Sequence, residues 1–132
     1  MADIGKIIKN MTLQQKAMQL TQVDATYICD DDNATVTGNR EKIVGESDVK
    51  LVGSALNFSG DAMAKKVQSE HLKTSEIPLL LMQDVIHGYR TIYPINLAMG
   101  GSFDVDLNEK CAEMAGKEAR ENGVHVAFAP MV

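Results

Sequence analysis

The residues most capable of chemistry stand together in the stretch Gln83-Asp84-Val85-Ile86-His87-Gly88-Tyr89-Arg90-Thr91. Asp84 lies two residues beyond the apolar run Leu79-Leu80-Leu81-Met82, where a buried strand should end. In parallel α/β folds the ligand-binding loops gather at the C-terminal ends of strands. A carboxylate there can accept hydrogen bonds from hydroxyl groups of a ligand, and such charge-assisted bonds are strong once water is excluded. The plainer role for Asp84 is to cap the turn or helix that follows, and position alone favours it, because Asp is common at such caps. His87 can move a proton beside that carboxylate or hold the loop backbone through one ring nitrogen, and spacing favours the second. Arg90 has three open roles: pairing with Asp84, fixing the loop, or facing ligand hydroxyls at the rim.

Placing such residues requires a sheet, and three apolar runs separated by helical patterns supply its rhythm. The runs are Val49 to Phe58, Pro78 to Met82, and Val124 to Val132. Leu79 to Met82 shows no alternation of polar and apolar types, which predicts burial on both faces, as in a parallel sheet. Between the first two runs, Asp61 is placed to cap a helix whose Met63, Val67 and Leu72 share a face. Between the second and third, Asp104 or Asp106 can cap a helix carrying Leu107, Cys111, Met114, Ala115 and Ala119 on one side. Asn122-Gly123 ends it, since Gly readily takes the left-handed conformation at a helix terminus. Nearer the start, Thr12 and Gln15 have the spacing of a capping box, and Leu13, Ala17 and Leu20 form an apolar stripe that predicts docking against something larger. From Gln22 to Lys50 no period is sustained and turn formers accumulate, which predicts a long surface segment.

The chain has 132 residues, 45% of them hydrophobic, enough for one globular unit. Its net charge of -5 gives no surplus for binding phosphate backbones, so nucleic acid is not an expected partner. The opening Met-Ala-Asp-Ile-Gly-Lys has neither the apolar core of a signal peptide nor that of a membrane span, and predicts a cytoplasmic location. Cys29 and Cys111 lack the spacing of a zinc site or a clear disulfide. Asp30-Asp31-Asp32-Asn33 lacks the Gly and Glu that a calcium loop of the EF-hand kind requires, so no metal is expected. Asn10-Met11-Thr12, Asn33-Ala34-Thr35 and Asn57-Phe58-Ser59 match the glycosylation pattern by chance. Gly100-Gly101-Ser102 does not fit a phosphate-binding loop, and the methionines read as core stripes, so no cofactor is expected. His71 and His125 lie away from the strand ends that carry chemistry and read as structural.

Several blocks, in order, resemble the N-terminal barrel domain of family 3 glycoside hydrolases. They are Met11-Thr12-Leu13-Gln14-Gln15-Lys16, Val52-Gly53-Ser54-Ala55-Leu56, the segment from Ile77 through Asp84 and His87 to Ile95, and Phe128-Ala129-Pro130-Met131-Val132. The Asp84 to Thr91 block is similar to the β-glucosidase branch. The resemblance implies a partial TIM (β/α)8 barrel, with the first three parallel strands and intervening helices, and residues 1–132 as an incomplete N-terminal part of the barrel domain. It implies that Asp84 binds the sugar where the bond is broken, with His87 and Arg90 beside it. A retaining glycosidase also needs a nucleophile and an acid/base, two carboxyl groups about 5–5.5 Å apart. The resemblance assigns those to a later strand and a following domain, so no catalytic residue is expected here. It implies that the chain is the start of a parent enzyme acting on a β-glucoside or β-xyloside, and that the fragment alone is inactive. The open edge at Val124 to Val132 predicts self-association or pairing with a complementary fragment.

Overall fold

A computed structural model describes residues 3–29 and 45–131. Two short helices open the chain. Helix α1, Ile4–Asn10, starts where the Asp3 carboxylate accepts the Lys6 N–H at 3.1 Å. Helix α2, Leu13–Met18, starts on the expected capping box: Thr12 Oγ1 accepts from the Gln15 amide, and Gln15 Oε1 accepts from that of Thr12. Strand β1 is Gln22–Asp24, followed by a single 3-10 turn. Then come α3 (Glu46–Val49), β2 (Ser54–Leu56), α4 (Gly60–Leu72), β3 (Leu80–Asp84), α5 (Asn96–Gly101), α6 (Val105–Glu121) and β4 (Val126–Phe128).

All four strands pair in parallel in the order β1-β2-β3-β4. Helices α4 and α6 make the last two crossovers. The parallel α/β class is therefore as predicted, with four strands where three were expected. The added strand is β1, inside the supposed surface segment from Gln22 to Lys50, which also holds α3. Residues 30–44, with the acidic cluster, the turn formers and the second glycosylation match, lie outside the described residues.

The core lies between the sheet and its crossover helices. Val67 of α4, Ala115 and Ala119 of α6, and Ala55 and Leu81 of the sheet are all buried in one cluster. Burial of a side chain such as Leu81 or Val67 stabilises by about 1.5–3 kcal/mol. The opposite face of β3 is open: Leu79 and Leu81 are 2% exposed, but Leu80 is 50% exposed. The run predicted to be buried on both faces is thus covered on one, because no second layer lies over the other among the described residues.

Further local corrections follow from the same geometry. The Leu13, Ala17 and Leu20 stripe is exposed, with nothing described packed over it. In α4 the buried row is Met63, Val67 and His71, spaced four apart, and Leu72 falls outside it. The N-cap position of α4 is Ser59, while Asp61 sits in the first turn and pairs with Lys65 at 2.6 Å. Of the two candidates for α6, Asp104 is the cap, accepting the Leu107 N–H at 2.9 Å. Leu107 and Met114 are more than half exposed. Of the described methionines only Met63 belongs to the buried core. Gly123 has φ +85 at the end of α6, and a Cβ there would meet that of Ala64 at 2.6 Å, so both conformation and space require glycine.

Candidate functional site

Strand register decides which side chains share the open face. Asp24, Leu56, Met82 and Val126 form one cross-strand row, and Asp84 lies opposite Phe128 in the next, at the C-terminal edge. Asp84 is the last residue of β3 and is exposed. Its carboxylate takes no hydrogen bond or ion pair from the described residues, so it does not cap the turn that follows. The sheet holds its backbone, since the Val85 amide donates to the Phe128 carbonyl at 3.2 Å.

A row of polar groups crosses the same strand ends. Asn57, just past β2, takes φ +60, a left-handed conformation that Asn tolerates better than most residues. From it, Nδ2 donates to Asp24 Oδ2 at 2.9 Å and the backbone N–H donates to Gln83 Oε1 at 3.2 Å. Asp24 Oδ1 in turn accepts from the amide and the hydroxyl of Thr26. The ends of β1, β2 and β3 are thereby tied together. Sequence reading missed Asp24 and Asn57. The signal was an Asn immediately after a strand, which tends to turn through the left-handed region.

The loop after β3 carries the other two candidates. The His87 ring donates through Nδ1 to the Tyr93 carbonyl at 3.0 Å, and the His87 carbonyl accepts the Tyr93 amide at 2.8 Å. That fixes the tautomer of the neutral ring and leaves Nε2 as the nitrogen able to meet a ligand. Gly88, at φ +128, is where the loop closes, and a Cβ there would lie 2.1 Å from the Thr91 carbonyl oxygen. The Arg90 guanidinium reaches toward Gly60 at the start of α4, within 3.7 Å of where a Cβ would stand. No hydrogen bond or ion pair joins Asp84, His87 and Arg90 to one another. Of the three roles open for Arg90, pairing with Asp84 is therefore not the one adopted.

Glu118 of α6 is a further residue that sequence reading did not single out. Its carboxylate accepts the amides of Arg90 and Thr91 at 3.1 and 2.9 Å, and the Thr91 hydroxyl as well. The bonds from Thr91, helped by the amide and charge of Arg90, hold the Glu118 carboxyl below its usual range.

Beside the loop lies a cavity of about 470 Å³, with walls that include Ile86, His87, Met99, Cys111 and Ala127. Tyr93 and Asn108 also line it, and the Tyr93 hydroxyl and Asn108 Oδ1 are buried with no hydrogen-bond partner among the described residues. Burial pushes the Tyr93 phenol up, with smaller contributions from Cys111 and Glu118. Asp84 is not among the cavity's lining residues. His71 and His125 have structural contacts, as expected. His71 donates through Nε2 to the Ile77 carbonyl at 3.1 Å, and His125 Nδ1 accepts the Leu81 amide at 3.1 Å. Among the described residues no group of three His, Cys, Asp or Glu could hold a metal ion, and no helix is long and apolar enough to cross a membrane.

Residues 12–132 match the Glycosyl hydrolase family 3 N terminal domain. The chain is 29% identical to the periplasmic beta-glucosidase of Salmonella typhimurium over 99% of its own length and 16% of that protein's. The β-glucosidase of Listeria innocua, in complex with isofagomine, superposes with a TM-score of 0.84 at 34% identity, over 98% of this chain and 18% of that one. A mutant of the same enzyme in complex with laminaribiose gives a TM-score of 0.85 at 36% identity, over 98% of this chain and 19% of that one. The chain thus spans less than one fifth of the length of these relatives.

Proposed function

The chain belongs to glycosyl hydrolase family 3, and on that premise we propose that residues 1–132 are the opening part of the barrel domain of a retaining β-glucosidase. In this reading Asp84, His87 and Arg90 bind the terminal β-D-glucosyl residue. The single observation that carries it is Asp84: an exposed carboxylate, without a partner among the described residues, at the C-terminal end of a parallel strand. Asp84 accepts sugar hydroxyls in charge-assisted hydrogen bonds. His87, fixed by the Tyr93 carbonyl, offers Nε2, and Arg90 donates from the rim. None of the three breaks a bond. The two carboxyl groups of retaining hydrolysis, about 5–5.5 Å apart, belong to parts of the parent enzyme beyond this segment, so the segment alone hydrolyses nothing.

The test is release from an aryl β-glucoside by a complete enzyme carrying this segment and by its Asp84→Ala variant. Loss of a charged hydrogen bond to substrate should cost about 2–4 kcal/mol in kcat/KM. Equal kcat/KM for the two proteins would remove Asp84 from the site. For location we propose the cytoplasm; cell fractionation decides between it and the periplasm. A second reading, self-association or pairing with a complementary fragment, draws on β4, which has β3 on one side and no strand on the other among the described residues. Size-exclusion chromatography showing a soluble monomer at all concentrations would end it.

A further inference from the structure

We propose that Glu118 is a positioning residue: its carboxylate clasps the backbone at Arg90 and Thr91 and so sets where the Arg90 guanidinium meets the sugar. The proposal rests on the sugar-binding reading of Arg90 and deepens it. Arg90 and Thr91 are exposed, at the tip of the loop after β3. That loop is closed nearer its base by the His87–Tyr93 bonds. Beyond those bonds the amides of Arg90 and Thr91 both donate to one oxygen of Glu118. The Thr91 hydroxyl takes the other oxygen. Three donors on one carboxylate fix the peptide plane between Arg90 and Thr91 from a residue 27 positions later in the chain. An arginine side chain has many rotamers, so a fixed backbone origin is what limits the volume its guanidinium can sample. Glu118 is set on the 17-residue helix α6, next to the buried Ala119, so the clasp has a rigid base. Misplacing a binding group by about 1 Å costs on the order of 100-fold in rate, which makes the origin of Arg90 matter to function.

Two measurements test this. In the 132-residue chain, Glu118→Ala should raise amide hydrogen exchange at Arg90 and Thr91 about tenfold or more and leave the Tyr93 amide, held by His87, unchanged. Glu118→Gln keeps one acceptor oxygen and should fall between the two; it also serves if the alanine variant does not fold. Unchanged exchange at Arg90 and Thr91 in these variants would overturn the clasp. In a complete enzyme carrying this segment, Glu118→Ala should lower kcat/KM about tenfold or more, and Glu118→Gln should recover to within about threefold of the parent. In an Arg90→Ala background, Glu118→Ala should cost nothing further. Losses that multiply would mean that Glu118 acts on general stability and not through Arg90. If Asp84→Ala leaves kcat/KM unchanged, the sugar-binding reading fails, while the exchange measurement still decides the clasp.

Discussion

The two faces of the sheet share the same strands and do different work. Val23, Ala55 and Leu81 form one cross-strand row, all 6% exposed or less, beneath the crossover helices. On the other face Leu80 is 50% exposed and Phe128 39% exposed, and Asp84 stands open at the edge. Along β3 the split runs residue by residue, since successive side chains of a strand point to opposite sides. Stability within this segment therefore comes from Leu79, Leu81 and Val85, while the sugar contact proposed for Asp84 lies on the open face with Leu80 and Met82. A substitution on one face should leave the other's property nearly unchanged.

The sharpest way to break that division is to compare Leu81→Ala with Leu80→Ala in urea unfolding. Leu81→Ala removes a buried side chain and should cost about 2–5 kcal/mol, whereas the exposed Leu80 should cost less than about 1 kcal/mol. Equal costs would mean that something covers the open face. Gly88→Ala comes next, because φ +128 and the 2.1 Å approach of the Thr91 carbonyl leave no room for a Cβ. We expect about 1–3 kcal/mol of strain, read as faster exchange at the Tyr93 amide. Asn57→Ala should cost about 1–2 kcal/mol, through loss of its bond to Asp24 and the left-handed backbone. Asn57→Gly should recover the backbone part alone, and no recovery would show that the conformation at Asn57 carries no strain.

Those substitutions also mark how far the sequence could be read. Strands β2, β3 and β4, helices α4 and α6, and Asp84 at a strand end were visible because runs and caps are local signals. Strand β1 was not, since three residues with only Val23 buried show no period; its register with Ser54–Leu56 is a tertiary fact. The apolar character of Leu79 to Met82 could not reveal that one face lies open, because an uncovered barrel interior and a buried one use the same residue types. Within the proposed site, the placing of Asp84 at a strand end was legible from the apolar run before it, while its sugar-binding role is what the family resemblance implies. Glu118 was not, because its partners lie 27 and 28 residues away and a Glu on a helix ordinarily means a solvated face.

The smallest expected effect separates the covered face from the site by pH. His71 is 3% exposed, and burial lowers its pKa from the ordinary 6.5 despite the bond to Ile77. Below 6.5 the unfolded chain takes up a proton that the folded chain refuses, so the folded state loses stability as pH falls through that value, and none is lost above it. Glu118 has a pKa lowered from 4.5; its contribution is whole above 4.5 and goes as pH falls through the lower folded value, outside the histidine window. Urea midpoints measured between about pH 7.5 and 5.5 should therefore decline in the parent chain and decline less in His71→Gln, with Glu118→Gln keeping the parent slope. Equal slopes for the parent and His71→Gln would mean that the buried row of α4 does not exclude the proton. A flattened slope in Glu118→Gln would mean that the clasp on Arg90 and Thr91 and the core beneath the sheet do not titrate independently.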